Sequence, residues 1–583
     1  MNLTWLYVGV LYAIAARLAR VPLRAALLFY ALVLGFLWRP LTEPVTIIPA
    51  DVVKLVAPWS ELHAPNRGPV TKYEVSNLNL HDVTMQIVPW MVRPVLANGQ
   101  STPLSPLRLL VRPLPLGYAM NAEAAMKLLV ALTLMFLLCR TRYSMTASLA
   151  AAIAYGFSTW MITWLQFPIA AAAAFLPGIV LAIEKKHFVL MTAVFAITVL
   201  SGHPETVFNV ALLALVTVRF RLTWRVVQAA LLAALIASPF LIPFARAVVR
   251  SQRFAETRAP RDITPPFSDK PSALLLLQPR FFGELPIERP WGPTTLESIC
   301  GFAGVLALAS VVAAAIYLAM RRKWRERELF YVVGFVVCLG VVLGWPLITP
   351  AFHAIAGLAP TMRMRLGLCW FASLLIAAVI DWSRNETRVP LLLGALAVSA
   401  TMLWALRTTA FPSDAHRVSA ILSLLPSVAV LAALIIPRIE IAIALTFVEL
   451  FVTMHTWNPI LPLRELYPKT PLIAALQRID PHARIVGTGS QLYPYTGAIF
   501  GFDDVRPHDP MADASYVALL HEKAGWNSQE YYAKWNDTDT PLLDELRVKY
   551  VVTEPTRELE PPRYKLLYSG RDGRIYELTR PRL

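Results

Sequence analysis

Long apolar runs separated by short polar connections recur from residue 2 to residue 456. At about 1.5 Å per helical residue, runs of this kind approach the roughly 30 Å of a bilayer's hydrocarbon core. Backbone in that environment must satisfy its own hydrogen bonds, which leaves helices or closed barrels. The runs are continuous and lack period-two alternation, which disfavours a barrel. The composition points the same way: of 583 residues, 56% are hydrophobic and only 16% charged. A soluble protein of this length needs a more polar surface.

The expectation is a polytopic α-helical membrane protein of about 14 transmembrane helices. The spans are read at 2–17, 22–38, 118–139, 144–162, 168–184, 187–202, 205–219, 224–245, 297–320, 329–346, 364–382, 388–406, 417–436 and 438–456. No basic residue precedes the first apolar stretch and no clear cleavage site follows it, so it reads as a retained span rather than a signal peptide.

Charge orients the chain. The formal net charge is +16, and every second short connection is basic. Arg17, Arg20 and Arg24 are followed by Arg140 and Arg142, then Lys185 and Lys186, then Arg219, Arg221 and Arg225. The stretch 321–328, then Arg384 with Arg388, then Arg438 continue the series. Positive connections stay in the cytoplasm. The polar segments at about 39–117 and 246–296, and everything from 457 onward, then lie outside. No basic stripe is interleaved with aromatic residues, so nucleic acid is not a partner. Cys139, Cys300, Cys338 and Cys369 have no CxxC spacing and read as apolar packing residues.

Two domains follow: a multi-span region over 1–456 and a soluble extracytoplasmic α/β domain over 457–583. In the latter, RIVGTG, VKYVVTE and RIYEL read as strands, and TPLIAALQRI, SYVALLHEK and PLLDELR as helices. It contains no phosphate loop, HExxH or nucleophile elbow. Asp503, Asp504 and Asp509 beside Arg506 and His508 form either a metal or glycan site or an Asp/Pro-rich turn.

Several residues could carry chemistry. Asp82 and Gln86, four apart in SNLNLHDVTMQIVPW, would share a helix face. A carboxylate there suits a general base, a metal ligand or plain solvation. Asp51 is a weaker case of the same kind. His203 and Glu205, in SGHPETVF, sit between two apolar runs with almost no loop, either lining a site or meeting water at an interfacial turn. Arg280 and Glu297 belong to an aromatic-rich loop suited to sugar, headgroup or interfacial contact. Arg363 and Arg365, in TMRMRLGL, stand at an outer helix end, where they bind phosphate or snorkel.

In this order, NLNLHDVTMQIVPW, ANGQSTPLSP, SGHPETVF, QPRFFGE, ESICGFAGVLALA, APTMRMRLGL, LYPKTPLIAALQ, RIVGTG, GFDDVRPHDP and LLDELRVKYVVTE resemble the bacterial YfhO-like membrane proteins. That family belongs to the type-C glycosyltransferases. The family's Pro-Leu-Trp-Asn-Pro stretch is missing before ANGQ, and Glu449 stands where an aspartate is common. The resemblance implies a type-C fold in the bacterial cytoplasmic (inner) membrane. It also implies transfer of a sugar from a polyprenyl-phosphate donor to an envelope glycan, teichoic acid or lipid on the outer face. Asp82 would be the base or metal ligand, with His203 and Glu205 in the catalytic group. Arg363, Arg365 and Arg280 would hold the donor phosphate, and Gln86, Asp51 and Glu297 would line the site. A divalent metal ion is the cofactor such chemistry could use. The competing readings are a flippase or transporter of lipid-linked sugar, and a non-catalytic envelope scaffold.

Overall fold

The structure is a computed structural model that describes residues 2–48, 102–256, 265, 268–283, 290–323, 326–356, 361–466, 469–489, 491–492, 500–506, 512–525 and 535–579. Two compact units emerge. One holds Met1–Ala50, Ser105–Ala237 and Asp262–Ile460; the other includes Ser238–Arg261 and Leu461–Leu583.

The first unit is helical. It begins with α1 (Thr4–Leu18), α2 (Leu23–Phe36), α3 (Pro106–Val111) and α4 (Leu116–Cys139). Next come α5 (Met145–Gly156), α6 (Thr159–Thr163), α7 (Pro168–Ala174), α8 (Leu176–Glu184), α9 (Phe188–Ser201), α10 (Pro204–Thr217) and α11 (Trp224–Ile236). After α12 (Leu296–Ile299) follow α13 (Val305–Met320), α14 (Arg327–Val342), a 3-10 turn (Thr361–Met364) and α15 (Arg365–Asn385). The unit closes with α16 (Val389–Thr408), α17 (Asp414–Ala433) and α18 (Ile439–Met454).

Burial sorts these helices. The longest apolar stretches of α4, of α5 with α6, and of the 3-10 turn with α15 are each 83% buried, whereas α16 and α17 are 39% and 28% buried. The first three make the centre, and the last two leave an apolar face exposed. Helix α16 still packs closely on α13. A Cβ on Gly394 would stand 2.2 Å from the Ala309 carbonyl oxygen, so only glycine admits this backbone contact.

The expected fourteen spans are not found. Among the described residues five helices are long and apolar enough to cross a membrane: α4, Met145–Thr163, Thr361–Asn385, α16 and α17. The number is six if the broken pair Trp224–Ile236 and Ser238–Arg250 counts as one. The physical reason is that apolar runs and helices have different ends. Helix α1 has 15 residues, and α2, α9 and α10 have 14 each; at about 1.5 Å per residue each falls short of about 30 Å. The run at 168–184 is divided at Phe175, because Pro177 has no N–H to continue the ladder. The run at 297–320 is interrupted by Gly301 and Gly304, whose φ of +113° and +95° lies outside helical backbone. What stands is a polytopic, largely helical architecture with a β-rich C-terminal unit.

That second unit carries α19 (Pro471–Ile479), β1 (Arg484–Gly487), β2 (Asp503–Asp504), α20 (Ala514–Ala524), β3 (Tyr550–Thr553), β4 (Tyr564–Gly570) and β5 (Gly573–Leu578). The sheet order is β2-β1-β3-β5-β4. Strand β1 runs parallel to β2 and β3, and the β3–β5 and β5–β4 pairs are antiparallel. Alternation along β1 and β3 sends Val486 and Val551 into one apolar layer and Ile485, Tyr550 and Val552 into the other. Helix α20 covers the first layer through Val517 and Leu520, and α19 covers the second through Leu472, Ile473 and Leu476. Ser251 bridges to Asp513, and the Gln252 amide donates to the Ala512 carbonyl at 2.9 Å, so the segment after Ser238 belongs to this unit.

Candidate functional site

The most unusual chemistry inside the helical unit is a buried ion triad that sequence reasoning missed. Glu123 and Lys127, four residues apart on α4, lie on one helix face. Lys127 Nζ is 2.8 Å from Glu123, and Arg108 Nε on α3 is 3.3 Å from the same carboxylate. The three side chains are 9% exposed or less. Charges so deep require partners, because desolvation costs several kcal/mol per ion. Lys127 has three N–H donors, and the other two reach the Leu165 and Phe167 carbonyls at 3.0 and 3.1 Å. The ammonium therefore clamps the turn between α6 and α7.

That turn presents Trp164. The Arg363 guanidinium lies over its ring, 4.2 Å from the centroid. Phe167 and Trp160 pack against Trp164 at 5.2 and 6.2 Å. The 3-10 turn bearing Arg363 packs against α10, and α10 packs against α7. Helix α10 opens with Pro204 at its start and Glu205 in its first turn, where the helix dipole favours an anion. His203 precedes the helix, with Nδ1 at 3.3 Å from the Thr206 hydroxyl. A Cβ on Gly202 would fall 2.6 Å from the Ala172 Cβ, so glycine lets this turn rest on α7.

Buried side chains here with hydrogen-bonding atoms that have no partner among the described residues include Trp160 and Trp164 at Nε1, Gln166 at Nε2, and Asn209 at both amide atoms. Asn209 is 1% exposed and shares a face of α10 with Glu205, one turn away. Unpaired buried donors are rare and call for a ligand or water. Trp164, which Arg363 covers, shares its turn with Gln166, and Asn209 lies on the helix that His203 precedes.

The residues expected from sequence divide accordingly. His203, Glu205 and Arg363 lie on elements packed together, and α12, which carries Glu297 inside a Thr295–Ser298 capping box, also packs on the 3-10 turn. Arg365 is fully buried and donates to the Ser298 and Cys300 carbonyls at 2.9 and 3.1 Å. Arg280 donates to the Thr453 carbonyl in the last turn of α18 and to the Thr456 hydroxyl just past it, both at 2.7 Å. Both arginines thus tie helix ends to loops. Asp51, Asp82 and Gln86 lie outside the described residues. Among the described residues no three His, Cys, Asp or Glu side chains gather as a metal site.

The acidic stretch of the C-terminal unit is largely structural where described. Arg506 is buried, 2.6 Å from Asp504 and 2.8 Å from the Gly487 carbonyl, and Arg484 pairs with Asp503. His508 and Asp509 lie outside the described residues. Glu449 is fully buried on α18, accepting from Ser427 at 2.6 Å and from the Val305 amide at 3.1 Å.

No family model and no curated protein matches the chain. Among solved structures it is similar to ArnT from Cupriavidus metallidurans in the apo state, with 13% identity and a TM-score of 0.44 over 94% of this chain and 97% of that one. It is similar also to ArnT from Cupriavidus metallidurans bound to undecaprenyl phosphate, with 12% identity and a TM-score of 0.45 over the same shares. Both scores lie below one half, a likeness too loose to assign function.

Proposed function

We propose that this chain is a membrane glycosyltransferase that moves a sugar from a polyprenyl-phosphate donor to a cell-envelope glycan, teichoic acid or lipid. The observation that carries the reading is Arg363 seated on Trp164, with unpaired buried donors on Trp164 and Gln166 of the same turn and on Asn209 of α10, the helix that packs on the Arg363 turn. A sugar phosphate asks for this combination: a fixed cation for the phosphate, neutral donors for hydroxyls and an aromatic face for the ring.

In the reaction, the acceptor oxygen forms a bond to the anomeric carbon as the bond from that carbon to the phosphate oxygen breaks. The phosphate leaves with the electron pair. Arg363 would stabilise that developing charge. The acceptor's proton passes to a carboxylate, because a hydroxyl is a poor nucleophile until its proton is taken. Asp82 is the carboxylate that the YfhO-like pattern assigns, and Glu205 and His203 would orient the acceptor.

In this reading the chain resides in the bacterial cytoplasmic membrane with its reactive end outward. The region from 457 to 583 would be an extracytoplasmic module for acceptor choice or stability. The test is Asp82→Asn in purified, correctly inserted protein. Transfer from a polyprenyl-phosphate sugar should be abolished; full activity would remove Asp82 from the mechanism.

A further inference from the structure

The opposite end of the same helices holds a second site. Helices α5 with α6, α7 with α8, α9 and α10 run alternately between two ends. One end carries Trp164–Phe167 and Ser201–Glu205. At the other, four connections that are far apart in sequence close around one cavity of about 770 Å³. Its volume falls in the range of sites for small organic molecules, about 300–1,000 Å³.

The lining is strongly basic. Arg142 follows α4, Lys185 and Lys186 follow α8, Arg221 and Arg225 flank the start of α11, and Arg327 opens α14. Among the described residues that line the cavity, one carboxylate, Glu184, stands against these six cations, and it is already bridged by both Arg142 and Arg327. The bridges pin the wall of the cavity. Lys185, Lys186, Arg221 and Arg225 remain exposed around it. Charges that merely orient a chain in the membrane need only lie on the correct side. They need not converge on a concave surface with a fixed wall.

The surroundings are apolar. Trp224 lines the cavity and is 69% exposed, and the adjoining face of α11 exposes Leu231 and Leu235, the latter at 68%. Cations at a helix end, a tryptophan at their edge and an apolar face below them match the headgroup, glycerol level and acyl chains of a lipid. A free phosphate ion has no use for the apolar part.

We propose that this cavity binds the headgroup of an anionic phospholipid, with its acyl chains along α11. The site is separate from the one proposed for sugar transfer. A bound lipid would cross-link four connections and raise the stability of the helical unit by mass action.

The full chain in neutral detergent, with a melting temperature read by intrinsic fluorescence, tests this. Added phosphatidylglycerol should raise the midpoint by about 3 °C or more, while phosphatidylcholine or inorganic phosphate at equal concentration should not. The shift should vanish in the Lys185→Gln, Lys186→Gln, Arg221→Gln, Arg225→Gln variant, which leaves the Glu184 bridges intact. Should that variant fail to fold, Lys185→Gln with Lys186→Gln alone, read by native mass spectrometry, should retain at most a third as much phosphatidylglycerol as the wild type. Equal shifts with phosphatidylcholine, an undiminished shift or retention in the variants, or an effect reproduced by inorganic phosphate would each overturn the proposal.

Discussion

The two ends of the helical unit handle charge in opposite ways. At the Trp164 end the charges are few, buried and committed: Glu123 serves Arg108 and Lys127, and Lys127 is used up on two carbonyls. At the other end the charges are many, largely exposed and of one sign. Buried pairs fix geometry at a high cost in desolvation, whereas exposed cations raise local potential at little cost. The first end is suited to hold a reacting group in place, and the second to gather an anion of the membrane surface.

The sharpest way to break this contrast is to remove the carboxylate of the triad. Glu123→Ala strands two cations in an apolar interior and should destabilise the helical unit by about 3–5 kcal/mol, read as a large drop in melting temperature or loss of folded protein. An effect near zero would mean that the triad is hydrated, and the difference between the ends would disappear.

Next in size is Arg363→Ala. Its guanidinium lies over the Trp164 ring, 4.2 Å from the centroid. The KM for donor should rise at least about tenfold, near 1.4 kcal/mol, with a melting temperature close to wild type. Unchanged donor kinetics would make Arg363 a packing residue.

Asn209→Leu should move stability and activity in opposite directions. Removing a buried amide without a partner should stabilise the fold by about 1 kcal/mol, yet slow transfer if that amide serves the substrate. A stabilised variant with full activity would exclude Asn209 from the site.

The smallest effect lies in the C-terminal unit, where charge is at the surface. Burial pulls the Asp480 carboxyl upward, but the His482 amide and Lys549, 3.1 Å away, outweigh it and hold the group below its ordinary value. A depressed carboxyl contributes stability above its unfolded pKa and loses it as pH falls through the folded value. Stability should therefore decline below about pH 4, and Asp480→Asn should flatten that decline by only a few tenths of a kcal/mol, because the pair is solvent-screened. Denaturant melts at pH 3 and 7 measure it.

These contrasts also explain what could be read in advance. Strands such as RIVG and YVVT announce themselves because period-two alternation is local, and β1 and β3 lie where it points. The basic connections could be read as belonging to one face because charge, too, is local. Their closure into a cavity could not, since it depends on how α8, α10, α11 and α14 pack. Helix lengths were overestimated because hydropathy does not register Phe175, Gly301 or Gly304 as breaks. Asn209 is hidden inside an apolar run and Trp164 and Gln166 in a short turn between two, and only burial marks them. One signal was available: Glu123 and Lys127, four apart in an otherwise apolar run, are the kind of intramembrane pair that deserves suspicion.

Sugar transfer at the Trp164 end is the reading with most to lose from a single assay. The direct measurement is release of polyprenyl phosphate when the purified chain meets a polyprenyl-phosphate sugar and envelope acceptor. The account predicts release matched by glycosylated acceptor in the wild type, slowed at least about tenfold at subsaturating donor in Arg363→Ala. Net movement of intact sugar-lipid across proteoliposomes, with no polyprenyl phosphate released, would contradict it.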